Sequence, residues 1–89
     1  MYLHLGQDTV VKVSDIVGIF DLENTSLSKH TRQFLTHAEK DHRVFNVSYE
    51  IPKSFIVCEN AGKVTIYISQ ISTQTLLRRS GFMEDISNI

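Results

Sequence analysis

One amphipathic stretch constrains this chain more than any other, because it predicts a single long helix among short strand-like segments. Its apolar or neutral side chains recur at the spacing of one helical face: Leu27, Thr31, Phe34, Leu35 and Ala38. Thr25 or Ser26 stands just before them, and either hydroxyl can cap the first turn by accepting a hydrogen bond from an exposed amide. The sequence therefore predicts a helix of about four turns that buries this stripe.

Strand-like patterns precede that helix. Two short apolar runs flank the Gly-Gln-Asp turn at residues 6–8, which predicts a first β-hairpin. A third strand is predicted at residues 16–22, where the run IVGIFDL is almost continuously apolar. Gly18 lies inside this strand, and a glycine in such a position often marks a bulge or a close backbone approach.

Further strand patterns follow the helix. Residues 43–49 alternate, which predicts a strand with three larger side chains on one side: Phe45, Val47 and Tyr49. Residues 55–69 predict a second hairpin, because its two apolar runs are separated by a turn that contains Asn60 and Gly62. Both of these residues tolerate a positive φ.

A short helix closes the pattern at residues 73–79. Ser72 can cap its first turn, and Gly81 can end it. The predicted order is therefore βββ-α-βββ-α, with short connections between the strands. We expect an α+β fold: a small, mainly antiparallel sheet of five to six strands, with one long helix and a short C-terminal helix.

The chain is short enough that a single copy has little core. Its 89 residues bury about 60 to 65% of the surface that the unfolded chain exposes, and its one cysteine supplies no disulfide framework. Small domains of this kind often gain stability by association, so chain length leaves both a monomer and an oligomer open. Residues 1–80 are expected to form one domain, and residues 81–89 a flexible C-terminal tail whose apolar side chains suit a protein partner.

Several classes of protein are disfavoured by the sequence. The single cysteine and the absence of a signal-peptide pattern predict a cytoplasmic protein, and no apolar run is long enough to cross a membrane. No catalytic motif is present, and Cys58 lies in an apolar strand, as a small core residue would. His30 and His37 are two helical turns apart, too far to bind one metal ion. We therefore expect no enzymatic activity, no cofactor and no metal site.

Charge is unevenly distributed, although the net charge is only −1. Residues 1–24 carry four acidic and one basic side chain, a net of −3, whereas residues 25–58 carry five basic and three acidic side chains, a net of +2. This asymmetry lets one face of a nearly neutral domain be basic. It equally fits the chance variation of small proteins, so charge alone does not identify a nucleic-acid-binding surface.

Three blocks of sequence carry a resemblance to a known family. They are MYLHLGQD at the N-terminus, VSDIVGIFDLENTSLSKHTRQFL before and within the helix, and SFIV with VTIYISQISTQTLLRR near the end. Together they resemble the RemB-like branch of the bacterial extracellular matrix regulators, which is related to RemA. The resemblance covers almost all of residues 1–79 and is most specific in IVGIFDLENTS. It implies a cytoplasmic, DNA-binding transcriptional regulator of extracellular matrix (biofilm) genes.

The resemblance also implies a homo-oligomer, ring-shaped in RemA-type relatives, that wraps double-stranded DNA on a basic surface. The candidate contacts to the phosphate backbone are five basic residues: Lys29, Arg32, Lys53, Arg78 and Arg79. Lys29 and Arg32 fit a solvated helix face equally well. The two last-helix arginines equally fit the carbonyl groups of the helix C-terminus or ion pairs between subunits.

The chain departs from its RemA-type relatives in one loop. Those relatives carry an arginine pair after the tyrosine-ended strand, and the matching positions here are Ile51 and Pro52, so only Lys53 keeps a positive charge there. This departure, together with the nearly neutral net charge, leaves a second hypothesis open. The chain could instead be an interaction module that modulates a regulatory assembly through a protein partner, without direct DNA contact.

Overall fold

Six strands and two helices make up the described part of this computed structural model, residues 1–23 and 28–81. The α+β class predicted from the sequence is confirmed. In chain order the elements are β1 (Tyr2–Gly6), β2 (Thr9–Lys12), a 3-10 turn (Val13–Asp15), β3 (Ile16–Asp21), α1 (Lys29–Lys40), β4 (Val44–Asn46), β5 (Ser54–Asn60), β6 (Lys63–Ser69) and α2 (Thr73–Arg79).

The strands form two sheets rather than the single sheet expected from the sequence. β1 and β2 pair as an antiparallel hairpin, and the other four strands form a sheet of order β3-β5-β6-β4. The pairings in this larger sheet are antiparallel except for β4 with β6, which is parallel. The prediction of one sheet was wrong because Leu3, Leu5 and Val11 of the hairpin pack across a face of the larger sheet instead of extending its edge.

Strand β5 lies at the centre of the packing because both of its faces are buried. Alternate side chains of a strand point to opposite faces, so Phe55 and Val57 face one side while Ile56 and Cys58 face the other. Phe55 and Val57 pack in a cluster with Ala38 of α1. Ile56 and Cys58 pack with the β1–β2 hairpin and with Leu76 of α2. The two helices therefore lie on opposite faces of the four-stranded sheet.

Helix α1 is shorter than the sequence indicated and begins later. Ser28 is its N-cap, and the Ser28 hydroxyl accepts a hydrogen bond from the backbone N–H of Thr31 at 3.1 Å. The prediction of Thr25 or Ser26 as the cap was wrong for this reason; both of those residues lie outside the described part of the chain, as does Leu27 of the predicted stripe.

The buried stripe of α1 is only partly as predicted. Ala38 is fully buried, and Leu35 is half-buried against the same cluster. Phe34, however, is 40% exposed, so the helix leaves an aromatic side chain in contact with solvent. Within one copy, α1 therefore covers only part of the sheet face beneath it.

The strand predicted at residues 43–49 ends after Asn46. Val47 is buried as expected, but Phe45 and Tyr49 are exposed, so the predicted common face does not form. The reason is local: the hydroxyl of Ser48 accepts a hydrogen bond from the backbone N–H of Glu50 at 3.1 Å, and this side-chain bond turns the chain out of the strand.

Both hairpins and the second helix are confirmed. In the β5–β6 turn the positive φ values belong to Ala61 (53°) and Gly62 (79°), as in a two-residue hairpin turn. Asn60 instead ends β5, so the turn begins one residue later than the sequence suggested. At α2, the Ser72 hydroxyl accepts a hydrogen bond from the Thr75 N–H at 3.3 Å, and Gly81 follows the helix with a φ of 80°.

The bulge expected at Gly18 is also confirmed, since the pairing of β3 with β5 shifts register between Ile16 and Gly18. The ring of Phe20 folds back over Gly18, where any Cβ atom would come within 2.6 Å of it. A larger residue at position 18 would therefore displace the Phe20 ring.

A buried serine joins the hairpin to the larger sheet. The Ser69 hydroxyl donates a hydrogen bond to the carbonyl oxygen of Leu5 at 2.7 Å and accepts one from the backbone N–H of Ile71 at 3.0 Å. Ser69 is inaccessible to solvent, so water cannot replace either bond. This one side chain therefore links β1, the end of β6 and the approach to α2.

We expect Ser69→Ala to lower the free energy of unfolding by about 1 to 3 kcal/mol, because it leaves a buried carbonyl and a partly buried amide without their partner. Urea unfolding followed by circular dichroism measures this change. Ser14→Ala is the matched control: Ser14 is exposed, and its replacement should change the free energy by about 0.5 kcal/mol or less. Equal effects of the two substitutions would contradict this account of the link.

Candidate functional site

The outer face of α1 gathers three basic side chains at helical spacing. Lys29, Arg32 and Lys40 lie along it, separated by three and eight residues, and all three are exposed. They line a shallow depression of about 390 Å³ together with polar neighbours: Gln33, Thr36 and His37. Because Ala38 and Leu35 hold the opposite face of α1 against the sheet, this basic face points to solvent.

The charges on this outer face are available for an external partner. Within residues 1–23 and 28–81, no carboxylate lies within 4.0 Å of the charged groups of Lys29, Arg32 or Lys40. The acidic group at the end of α1, Asp41, instead lies 3.3 Å from His37 and 3.4 Å from Arg43. The face therefore presents uncompensated positive charge together with neutral hydrogen-bonding groups, which suits phosphate oxygens.

Lys53 lies at one end of the four-stranded sheet, just before β5. Its backbone is fixed on both sides: its N–H donates to the carbonyl of Ser69 at 2.8 Å, and its carbonyl accepts from the N–H of Leu22 at 2.9 Å. Its ammonium group lies 3.9 Å from the carboxylate of Glu23. A phosphate at this position would compete with Glu23, so Lys53 is a weaker candidate contact than the residues of α1.

Arg78 and Arg79 are exposed in the last turn of α2. At this end of a helix a positive charge interacts favourably with the unpaired carbonyl groups, which is a structural role in its own right. Because α2 and α1 pack on opposite faces of the sheet, the five residues proposed from the sequence do not form one surface. Lys29 and Arg32 share one face, the two arginines lie on the other side, and Lys53 lies at the sheet end.

Lys40 is a basic residue of this face that the sequence pattern did not identify as a site. It follows Lys29 by eleven residues, about three turns, which returns it to the same side of the helix. The spacing of eleven residues already indicated that Lys40 shares a helix face with Lys29. Only the structure shows that α1 extends as far as Lys40.

The buried thiol is placed for packing rather than for chemistry. Cys58 lies in the cluster on the α2 side of the sheet. Burial, and to a lesser degree the negative charge of Asp15, raises the pKa of the Cys58 thiol to about 11. Burial is also the main reason that the pKa of Tyr67 is raised. At neutral pH the thiol therefore stays protonated and is a poor nucleophile.

Neither a metal site nor a membrane-spanning helix occurs in the described residues. They contain no group of three or more His, Cys, Asp or Glu side chains that could hold a metal ion. They also contain no helix of the length and apolar character needed to span a membrane.

The comparisons with known proteins agree with each other. A family model described as RemA-like, extracellular matrix regulatory protein A-like, matches residues 2–79 and so ends where α2 ends. The chain is also 39% identical over 88 residues to extracellular matrix regulatory protein B of Bacillus subtilis (strain 168), an alignment that covers 99% of this chain and 100% of that relative. Both matches support the resemblance noted in the sequence.

The raised pKa of Cys58 predicts slow chemical labelling. At pH 8 a thiol with a pKa of about 11 is ionised in about one molecule in a thousand, and burial restricts access further. We expect a thiol-reactive dye to label the native protein far more slowly than the protein in urea. Ser14→Cys in a Cys58→Ala background provides an exposed thiol as control and should react rapidly. Equal labelling rates in the native and unfolded protein would contradict the packing role.

Proposed function

The chain belongs to the RemA-like family of extracellular matrix regulatory proteins, and we propose that it is a DNA-binding transcriptional regulator of extracellular matrix (biofilm) genes. In this proposal it acts in the cytoplasm as a homo-oligomer. It contacts the phosphate backbone of double-stranded DNA and performs no catalytic step.

The observation that supports this proposal most strongly is the basic outer face of α1. Lys29 and Lys40 are eleven residues apart, so their Cα atoms are separated by about 16 Å along the helix axis. Phosphates follow one another at about 3.4 Å of axial rise along each DNA strand. The face therefore has the length to reach several phosphates, and its three cations have no competing carboxylate nearby in the described part of the chain.

Association of several copies is a physical requirement of the proposal. The net charge of one copy is −1, so a single basic face of three side chains would bind DNA only weakly. Repeated copies turn each further contact into an intramolecular one, and their phosphate contacts add together. The same argument predicts strong dependence of the affinity on salt concentration.

Contacts of this kind position DNA more than they read its sequence. A helix that reads bases in the major groove presents several side chains that suit base edges, near its N-terminal end. The outer face of α1 instead spaces its cations along the whole helix. We therefore expect this surface to bind duplexes of different sequence with similar affinity.

A second function is favoured by a separate observation. The loop between β4 and β5 exposes Tyr49 and Ile51 almost completely. Tyr49 and Ile51 are two residues apart in this loop, and exposed apolar side chains that form a patch often mark a surface that another protein covers. The chain would then act as an interaction module of a regulatory assembly, with a protein partner on this loop or on the C-terminal residues and no direct contact to DNA.

Charge reversal on α1 tests the DNA-binding proposal. We expect the double variant Lys29→Glu with Arg32→Glu to bind a labelled duplex about tenfold or more weakly at low salt, because two attractive phosphate contacts per copy become repulsive. Fluorescence anisotropy over a range of salt concentrations measures the affinity. The log–log slope of affinity against salt should also flatten, by about one unit for each phosphate interaction that the substitutions remove from a bound copy.

Two further double variants provide the controls. Lys12→Glu with Lys63→Glu makes the same change in net charge on the side of the sheet away from α1, where both lysines are exposed. Arg78→Glu with Arg79→Glu tests the surface of α2 separately. If the α1 variant binds as well as the unmodified protein, or if all three double variants bind equally weakly, α1 is not the DNA-binding surface. If no duplex is bound even at low salt, the interaction module becomes the better account.

A further inference from the structure

The two outer strands of the four-stranded sheet are both open to another chain. In the order β3-β5-β6-β4, strands β3 and β4 pair on one side only within the described residues. An edge strand offers a row of backbone donors and acceptors to any second strand that reaches it. Proteins that remain monomeric usually protect such edges with charge, proline or a covering element, so the side chains at each edge indicate its role.

The β3 edge is apolar. Val17 is 65% exposed and Phe20 is 45% exposed, although both belong to a strand of the core sheet. Val17 also borders two apolar hollows, one of about 460 Å³ on the α1 side and one of about 310 Å³ on the α2 side. The exposed ring of Phe34 from α1 lines the first of these hollows. In a single copy, this strand presents apolar surface to water on both sides of its free edge.

The opposite edge carries an apolar counterpart. Phe45 is the middle residue of β4 and is 51% exposed. Its ring is held in place by an edge-to-face contact with Tyr67, at 5.8 Å between ring centroids. The β4 edge therefore presents a fixed aromatic side chain, whereas the β3 edge presents the aliphatic side chain of Val17 with an apolar hollow on either side.

Charge distinguishes the two edges. Residues 13–23, which contain β3, carry three carboxylates and no basic side chain: Asp15, Asp21 and Glu23. Lys53 lies 3.9 Å from Glu23, and counting it leaves a net of −2 at this edge. The residues that lead into β4 include Lys40 and the ion pair of Arg43 with Asp41, a net of +1. Pairing β3 with β3 of a second copy in antiparallel register would bring the carboxylates of both copies together, which is unfavourable. Pairing β3 with β4 brings opposite charges together.

We propose that β3 of one copy docks against β4 of a second copy, so that the four-stranded sheets join edge to edge with Val17 and Phe20 covered by Phe45. This rests on the homo-oligomer of the proposed function and identifies the surfaces that build it. The contact is head-to-tail, because each copy uses a different edge toward each neighbour. Repetition of such a contact gives a closed ring or an open filament rather than a two-fold dimer.

This arrangement has a consequence for the basic face. In a head-to-tail assembly every copy is related to the next by the same operation. The α1 helices then recur at a regular interval, each with Lys29, Arg32 and Lys40 on its outer side. Edge-to-edge joining leaves that outer side uncovered, because α1 packs on a face of the sheet and not on its edges.

A pair of complementary variants tests the docking surfaces. Val17→Lys places a charge at the β3 edge, and Phe45→Lys places one at the β4 edge; both positions are exposed, so both variants should fold, which circular dichroism checks. Light scattering on a sizing column then gives the mass of each variant alone and of an equal mixture. Val10→Lys is the matched control, because Val10 is an exposed strand valine that lies in the β1–β2 hairpin and not on either edge of the four-stranded sheet. Asn46→Lys, also exposed on β4, replaces Phe45→Lys if that variant does not fold.

We expect the unmodified protein and Val10→Lys to form the same assembly, and each edge variant alone to run at the mass of one chain, 10.2 kDa. The equal mixture should run at twice that mass, because each variant keeps one edge that fits the intact edge of the other. In this two-chain complex the free edges are the β3 edge of the Val17→Lys copy and the β4 edge of the Phe45→Lys copy. Both carry an introduced lysine and repel each other, so no third chain is added.

Three results would overturn the proposal. If only Val17→Lys dissociates the assembly, and mixing restores nothing, the contact is two-fold through β3. If neither edge variant changes the mass, another surface or another segment of the chain is responsible, and the proposed homo-oligomer still stands. If the unmodified protein is a single chain, the docking and the homo-oligomer both fail, whereas the anisotropy measurement on the α1 variants still reports separately on DNA binding.

Discussion

The burial of β5 on both faces is the constraint on which the rest of this structure depends. One strand of apolar residues, Phe55 to Cys58, needs cover on two sides, and each helix supplies only part of it. The β1–β2 hairpin and α2 cover one face, so α1 must cover the other and turn its polar side outward. The position of the basic face therefore follows from core packing. Within the described part of one copy, α1 leaves Phe34 and Val17 exposed.

The sequence predicted correctly those elements that depend on interactions between residues close together in the chain. The two hairpins and α2 form where expected, since turn residues of positive φ and the Ser72 cap act within a few residues. The bulge at Gly18 is a further case. The family was also recognisable, because the similarity extends over nearly the whole chain. For the site, Lys29 and Arg32 were correctly placed on the polar side of a helix.

Features that depend on distant partners were not predictable in this way. The parallel pairing of β4 with β6 and the separation of the strands into two sheets arise from contacts between segments far apart in sequence. Phe34 has the spacing of a buried residue, and its exposure becomes apparent only when α1 is seen to leave an open hollow beside β3. The division of the five candidate cations between two faces likewise depends on which face of β5 each helix covers. The periodicity of a sequence shows which side chains share one face of a helix. It does not show which of those side chains are buried against the core of the same copy.

The measurement that tests the central claim most directly is the mass of the protein with a long DNA duplex, by light scattering on a sizing column at low and at high salt. The claim is that several copies together bind the phosphate backbone through exposed cations. It predicts an assembly that gains the mass of the duplex at low salt and releases it at high salt, while the protein assembly itself persists. An assembly whose mass is unchanged by the duplex at every salt concentration would contradict it.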